Sequence, residues 1–172
     1  MSYYFSTTIQ GDFADAVQRT REALRNEGFG VISEIDIQKA LRDKIGVEFR
    51  PYLILGACNP ALAHEALLLE DKVGTMLPCN VVVQKIDSGI EVAAIDPVSS
   101  MQAIQNERLS DTAAGVAENL KRAIASLGGG DAALKQAAKD ERQAEIERQA
   151  GESRHELDAI PPLGTDPLHE GP

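Results

Sequence analysis

No stretch of the chain approaches the ~18 to 20 consecutive apolar residues that cross a bilayer, so no membrane-spanning helix is expected. The start, Met1-Ser-Tyr-Tyr-Phe-Ser6, has no basic segment followed by an apolar one, and no export signal is expected there. Cysteine is scarce: Cys58 and Cys79 are the only two. Without an export signal they are expected as free thiols in a cytoplasmic protein, not as a disulfide. No stripe of lysine and arginine interleaved with aromatics occurs, and the formal net charge is −10. Such a surface repels a phosphate backbone and an anionic membrane surface, which argues against nucleic acid or membrane as partner.

The familiar catalytic signatures are missing too. The chain has no G-x-S-x-G elbow, no G-x-x-x-x-G-K-[ST] loop and no G-x-G-x-x-G fingerprint. It has no C-x-x-C pair and no H-x-x-x-H, so a complete structural zinc site within one chain is not expected. Gly128-Gly-Gly130 follows a helical pattern, so it reads as a helix stop and not as a phosphate cradle. No internal repeat is visible in the 172 residues, which suggests one domain with something appended.

What is present reads in order. Residues 3 to 9 alternate, with Tyr3, Phe5, Thr7 and Ile9 on one face, and predict a half-buried strand. Asp12 caps a helix whose buried stripe is Phe13, Ala16, Val17, Thr20 and Leu24, and Gly28 ends it in the left-handed conformation. Val31 to Ile35 is a second strand, and Asp36 caps a short helix with Ile37, Ala40 and Leu41 inward. Phe49 to Leu55 is a strand apolar on both faces, hence central, with Pro51 near its beginning. A glycine break at Gly56 then leads to a helix from Pro60 to about Leu69, with Asn59 as cap.

Asp71 to Met76 reads as a turn or short strand. Asn80 to Ile86 and Ile90 to Ile95 form a hairpin around Asp87-Ser-Gly89. Residues 98 to 108 are a loop or short helical piece. Ser110 or Asp111 caps the last helix, with Leu109, Ala113, Val116, Leu120, Ala123, Ile124 and Leu127 in one stripe. The order β-α-β-α-β-α-β-β-α, with its late hairpin, predicts a two-layer α+β domain with a mainly antiparallel sheet covered by helices. That core spans residues 1–128. Residues 129–150 read as an appended helical segment with little to bury, and 151–172, with four prolines and three glycines, as a disordered acidic tail.

The two cysteines share a setting. Cys58-Asn59 stands where a helix begins and Cys79-Asn80 where a strand begins. With Ile54-Leu-Gly-Ala-Cys-Asn-Pro60, Ala63-His-Glu-Ala-Leu67, Leu77-Pro-Cys-Asn-Val-Val-Val83 and Phe49-Arg-Pro-Tyr52, the chain resembles the bacterial and archaeal family called domain of unknown function 302, over about residues 1–128. The resemblance implies a TATA-binding-protein-like arrangement of strand, helix, four strands and helix. It also implies a homodimer. It brings no activity and no DNA binding, since a fold hosts unrelated functions.

Three readings of the site follow. In the first, Cys58 feels the positive end of the following helix and Cys79 faces it, with His64 as base or third ligand and Asn59 and Asn80 as binding groups. That reading points to thiol redox, sulfur handling or ligand sensing. In the second, Cys58, Cys79 and His64 bind a metal through ligands shared across a dimer. In the third, the sheet and a covering helix enclose an apolar pocket that binds a small molecule without chemistry, or the domain is an interaction module. The bland alternative makes both cysteines inert packing residues and both asparagines backbone caps. No residue pattern names a cofactor.

Overall fold

The computed structural model describes residues 2–128. The expected appended helix at 129–150 and acidic tail at 151–172 lie outside the described residues. Strand β1 (Tyr4–Ile9) leads to helix α1 (Phe13–Asn26), β2 (Gly30–Asp36), α2 (Ile37–Ile45), β3 (Tyr52–Cys58) and α3 (Pro60–Leu69). A 3-10 helix, Asp71–Met76, follows, then β4 (Cys79–Ile86), β5 (Gly89–Ile95), the short α4 (Pro97–Ser100) and α5 (Glu107–Leu127). The five strands form one sheet in the order β1-β5-β4-β3-β2, antiparallel throughout. The expected α+β class holds. The TATA-binding-protein-like order is compatible with it, with α2 and α3 added between strands.

Local chemistry sets the helix ends. Asp12 Oδ1 accepts from the Ala14 amide at 2.8 Å, satisfying a donor that the first turn leaves open. At the other end of α1, the Gly28 amide donates to Arg25 O and the Phe29 amide to Leu24 O. This is the Schellman pattern, and it needs the positive φ of 83° at Gly28. Phe29, 3% exposed, then packs into the same core as Leu24.

The core lies between one sheet face and helices α1 and α5. Leu53, Leu55, Val81, Val83, Val92 and Ala94 from the strands meet Leu24, Leu120, Ala123 and Ile124 from the helices. Each fully buried aliphatic of this kind contributes roughly 1.5–3 kcal/mol. A smaller cluster of Ala66, Val73 and Leu109 stands apart from it under α3, with Leu77, Met101 and Ile104 around it.

The sheet's opposite face carries a polar network. Tyr52, Gln84 and Glu91 lie in one register row across β3, β4 and β5. Gln84 is fully buried and Glu91 is 3% exposed. Arg50 donates from Nε and Nη2 to Gln84 Oε1 at 3.0 and 2.8 Å, and Gln84 Nε2 donates to Glu91 Oε2 at 2.7 Å. The Arg50 guanidinium also lies 4.4 Å from the Phe49 ring centre.

Four sequence expectations shift. The third strand runs Tyr52–Cys58 instead of Phe49–Leu55, because Gly56 continues the ladder. A Cβ there would stand 2.6 Å from Pro78 Cγ and would meet Ser33 Oγ as well, so glycine permits a close approach within the strand. Helix α5 starts at Glu107, because Asn106 Oδ1 accepts from the Leu109 amide at 3.3 Å; Ser110 and Asp111 lie inside the helix. Asp71–Met76 is a 3-10 helix, neither of the forms expected. Helix α2 has no buried residue, with Ile37 and Leu41 only half-buried and Ala40 exposed. Among the described residues no helix is long and apolar enough to cross a membrane.

Candidate functional site

The last turn of β3 and the first residue of β4 create the site. Ala57 is the ladder partner of Cys79, so Cys58 sits diagonally from Cys79. Strands ~4.8 Å apart with a rise of ~3.3 Å per residue put the two Cα atoms about 6 Å apart. Directly after Cys58 the chain turns into α3. Asn59 Oδ1 accepts from the Ala61 and Leu62 amides at 3.1 and 3.2 Å, and Pro60 occupies the first helical position, where no amide is needed.

Both cysteines are unbridged, Cys58 half-buried and Cys79 only 6% exposed. Burial pushes the Cys79 thiol up to about 11, and the neighbouring Cys58 adds to the shift. The Cys79 sulfur is therefore held protonated at neutral pH.

The two cysteines line one cavity of about 30 Å³, enough for one or two water-sized groups. Its walls come from both clusters: Phe29, Ala57 and Val116 from the main core side, Ala66, Leu77, Met101 and Leu109 from the small cluster. The cavity thus lies on the seam between them. Besides the cysteines, Asn59 and Thr112 are the polar residues of the lining. Thr112 Oγ1 donates to Glu65 Oε1 at 3.2 Å, which ties α5 to α3 beside the cavity.

The expected site residues separate. Cys58, Asn59 and Cys79 all line the cavity, but the alternation that puts Ala57 and Cys79 on the core face turns the Cys58 side chain toward the other one. His64 is exposed and is not in the lining. Leu62, Ala63 and Ala66 take the inward face of α3, and at ~100° per residue His64 points about 200° from Leu62. Asn80 is exposed as well; it pairs with Gly56, one position along the ladder from Cys79, and so takes the opposite sheet face. Among the described residues no group of three or more His, Cys, Asp and Glu is placed to hold a metal ion. Met101 and Thr112 were not singled out from the sequence. Met101 follows a short helix in a stretch with no periodic pattern, so no local signal marks it.

A five-stranded antiparallel sheet, a helical layer and a small, mainly apolar cavity to which both cysteines contribute define this α+β domain. The chain belongs to the family described as Domain of unknown function DUF302, whose model matches residues 5–127. It is similar to the crystal structure of an uncharacterized conserved protein DUF302 from Bacillus stearothermophilus, at 25% identity and a TM-score of 0.70, over 74% of this chain and 100% of that one. No curated protein matches the chain.

Proposed function

We propose that this domain is a ligand-sensing module whose site is the apolar cavity at which Cys58 and Cys79 meet. One observation carries the reading: the only two cysteines of the chain, 21 positions apart (79 − 58), line the same small cavity. The exposed position of His64 supports sensing over nucleophilic catalysis, since among the described residues no imidazole lines the cavity to act as base. A reducing, cytoplasmic setting belongs to the proposal, because both cysteines are free thiols. The test is alkylation of the native, reduced protein with a maleimide, read residue by residue by mass spectrometry. Reaction of Cys58 in the folded protein supports the reading, whereas two thiols that react only on unfolding would mark packing cysteines and leave the cavity to the second reading below. Reaction of both at the rate of free cysteine would sink it.

A second reading is a non-catalytic pocket for a small apolar molecule, favoured by the aliphatic and aromatic remainder of the lining. It is separated from the first by the Cys58→Ala/Cys79→Ala double variant, which would keep binding such a molecule. A homodimer is proposed too. Ile32 and Ile35 on the edge strand β2, Ile45 at the end of α2 and Val47 just after it are 66%, 50%, 67% and 45% exposed, which supports a covering partner. Sedimentation of the full chain as a monomer would reject it.

A further inference from the structure

We infer that Arg50, on the sheet face opposite the cavity, is the anchor of a binding site for a small monocarboxylate. The inference goes beyond the cavity reading and does not depend on it. The stretch Phe49-Arg-Pro-Tyr52, which carries part of the family resemblance, takes no part in the cavity. It is fastened on two sides. Gln38 Nε2 from α2 donates to Phe49 O at 2.7 Å, and the Lys85 amide from β4 donates to Pro51 O at 2.9 Å. Pro51 fixes its own φ and needs no ladder acceptor. Arg50 and Tyr52, two positions apart on an extended chain, share the face that also carries Gln84.

Arg50 is held in place without being neutralised. Its Nε and Nη2 both donate to Gln84 Oε1, at 3.0 and 2.8 Å. Gln84 is fully buried, and its Nε2 bond to Glu91 Oε2 at 2.7 Å orients the amide so that its oxygen meets the guanidinium. The Phe49 and Tyr52 ring centres lie 4.4 and 5.8 Å from the guanidinium carbon and restrict it further. Among the described residues no carboxylate forms an ion pair with Arg50. A neutral amide stands where a direct arginine–glutamate pair would quench the charge. A guanidinium has two forked edges, and Gln84 takes the Nε–Nη2 edge. No described residue bonds the Nη1–Nη2 edge, whose two parallel N–H groups match the two oxygens of a carboxylate. Arg50 is only half-buried, which gives a ligand access to it. Ile54 and Val82, both half-buried, form the next row of the same face, about 7 Å from the Tyr52–Gln84 row at two residues' rise. The site therefore suits a carboxylate with a short apolar tail, the head on Arg50 and the tail along Ile54 and Val82.

The experiment titrates hexanoate into the full, nitrogen-15-labelled chain and follows the amide resonances. Hexanamide and inorganic phosphate serve as comparisons. Saturable shifts are expected at Arg50, Tyr52, Val82 and Gln84 with hexanoate and not with hexanamide. Arg50→Lys keeps the charge and loses the fork. Once circular dichroism shows it folded, it is expected to bind hexanoate at least ~10-fold more weakly, the loss of one charge-assisted hydrogen bond. The Cys58→Ala/Cys79→Ala double variant is expected to bind hexanoate as wild type does, which separates this site from the cavity. An absence of saturable shifts would overturn the site. Equal shifts with hexanamide would remove the role of the charge, and an equal response to inorganic phosphate would overturn the carboxylate assignment. Shifts confined to Leu62, Ala66 and Val116 would place hexanoate in the cavity and overturn the site at Arg50. The wild-type comparison of hexanoate with hexanamide decides the matter even if Arg50→Lys does not fold.

Discussion

Ala57 and Cys79 face each other across the β3–β4 ladder, and that pairing fixes where Cys58 stands. Cys58 is the last residue of β3, and the chain leaves the sheet at the next position through the Asn59 cap. The ladder therefore sets one sulfur and the cap turn sets the other. A shift of one residue in the β3–β4 register would send Cys79 to the opposite sheet face.

The buried thiol gives a pH signature. Its pKa is raised from 9.0 to about 11 by burial first and by Cys58 second. A group with a raised folded pKa supports the fold fully below its unfolded value, and that support is lost as pH rises through the folded one. The protein should therefore lose roughly 2 to 3 kcal/mol between about pH 9 and pH 11 through this residue. The measurement is the urea midpoint of wild type against Cys79→Ala across that range. Parallel curves would show that Cys79 is not the titrating group.

Gly56→Ala should destabilise the domain by about 1–3 kcal/mol, the range for forcing an extra carbon into a packed position. The new methyl would collide with Ser33 and with Pro78 Cγ. Adding Ser33→Ala should recover part of the loss, because Pro78 still stands in the way. Chemical denaturation of both variants decides it, and a neutral single variant would refute the close approach.

Gln84→Ala should cost about 1–3 kcal/mol through hydrogen bonding alone. The amide accepts twice from Arg50 and donates to Glu91 in a buried row, so its removal strips three hydrogen bonds at once. The loss should be strongly non-additive with Arg50→Ala, since the two share bonds. Simple additivity in a double-mutant cycle would mean that the row is not coupled.

Asn59→Ala should cost about 1 kcal/mol, the usual value of an N-cap, and Asn59→Ser should restore most of it. Amide hydrogen exchange should accelerate in Pro60–Leu69 for the alanine variant alone. If instead ligand uptake fell with exchange unchanged, Asn59 would be a binding group before it is a cap.

Most of the fold is legible in the sequence because its signals are local. Asp12, Asp36 and Asn59 announce three helix starts, and each accepts the expected backbone amides. The alternation of residues 3 to 9 and the Asp87-Ser-Gly89 turn place the hairpin and its neighbour correctly. Gly56 misleads because a glycine inside a strand looks like a break until the crowding from β2 and Pro78 is seen. Asn106 is overlooked because Ser110 and Asp111 offer equally good caps one turn later. The site is half legible: the Cys-Asn repeats mark both sulfurs, while helical phase turns His64 away and strand alternation turns Asn80 away. Met101 reaches the cavity through a tertiary path that no short motif encodes.

The division of the apolar interior has a consequence for cooperativity. Ala66, Val73 and Leu109 form a unit separate from the sheet's own core, and α3 keeps Leu67 and Leu68 in solvent at 44% and 75% exposure. Such a unit opens at lower free energy than the sheet beneath it. Residues from both units line the cavity, so any occupant would act as a rivet between them. Local opening of the smaller unit would then become rarer as the occupant accumulates, and hydrogen exchange there would report how much of it is present.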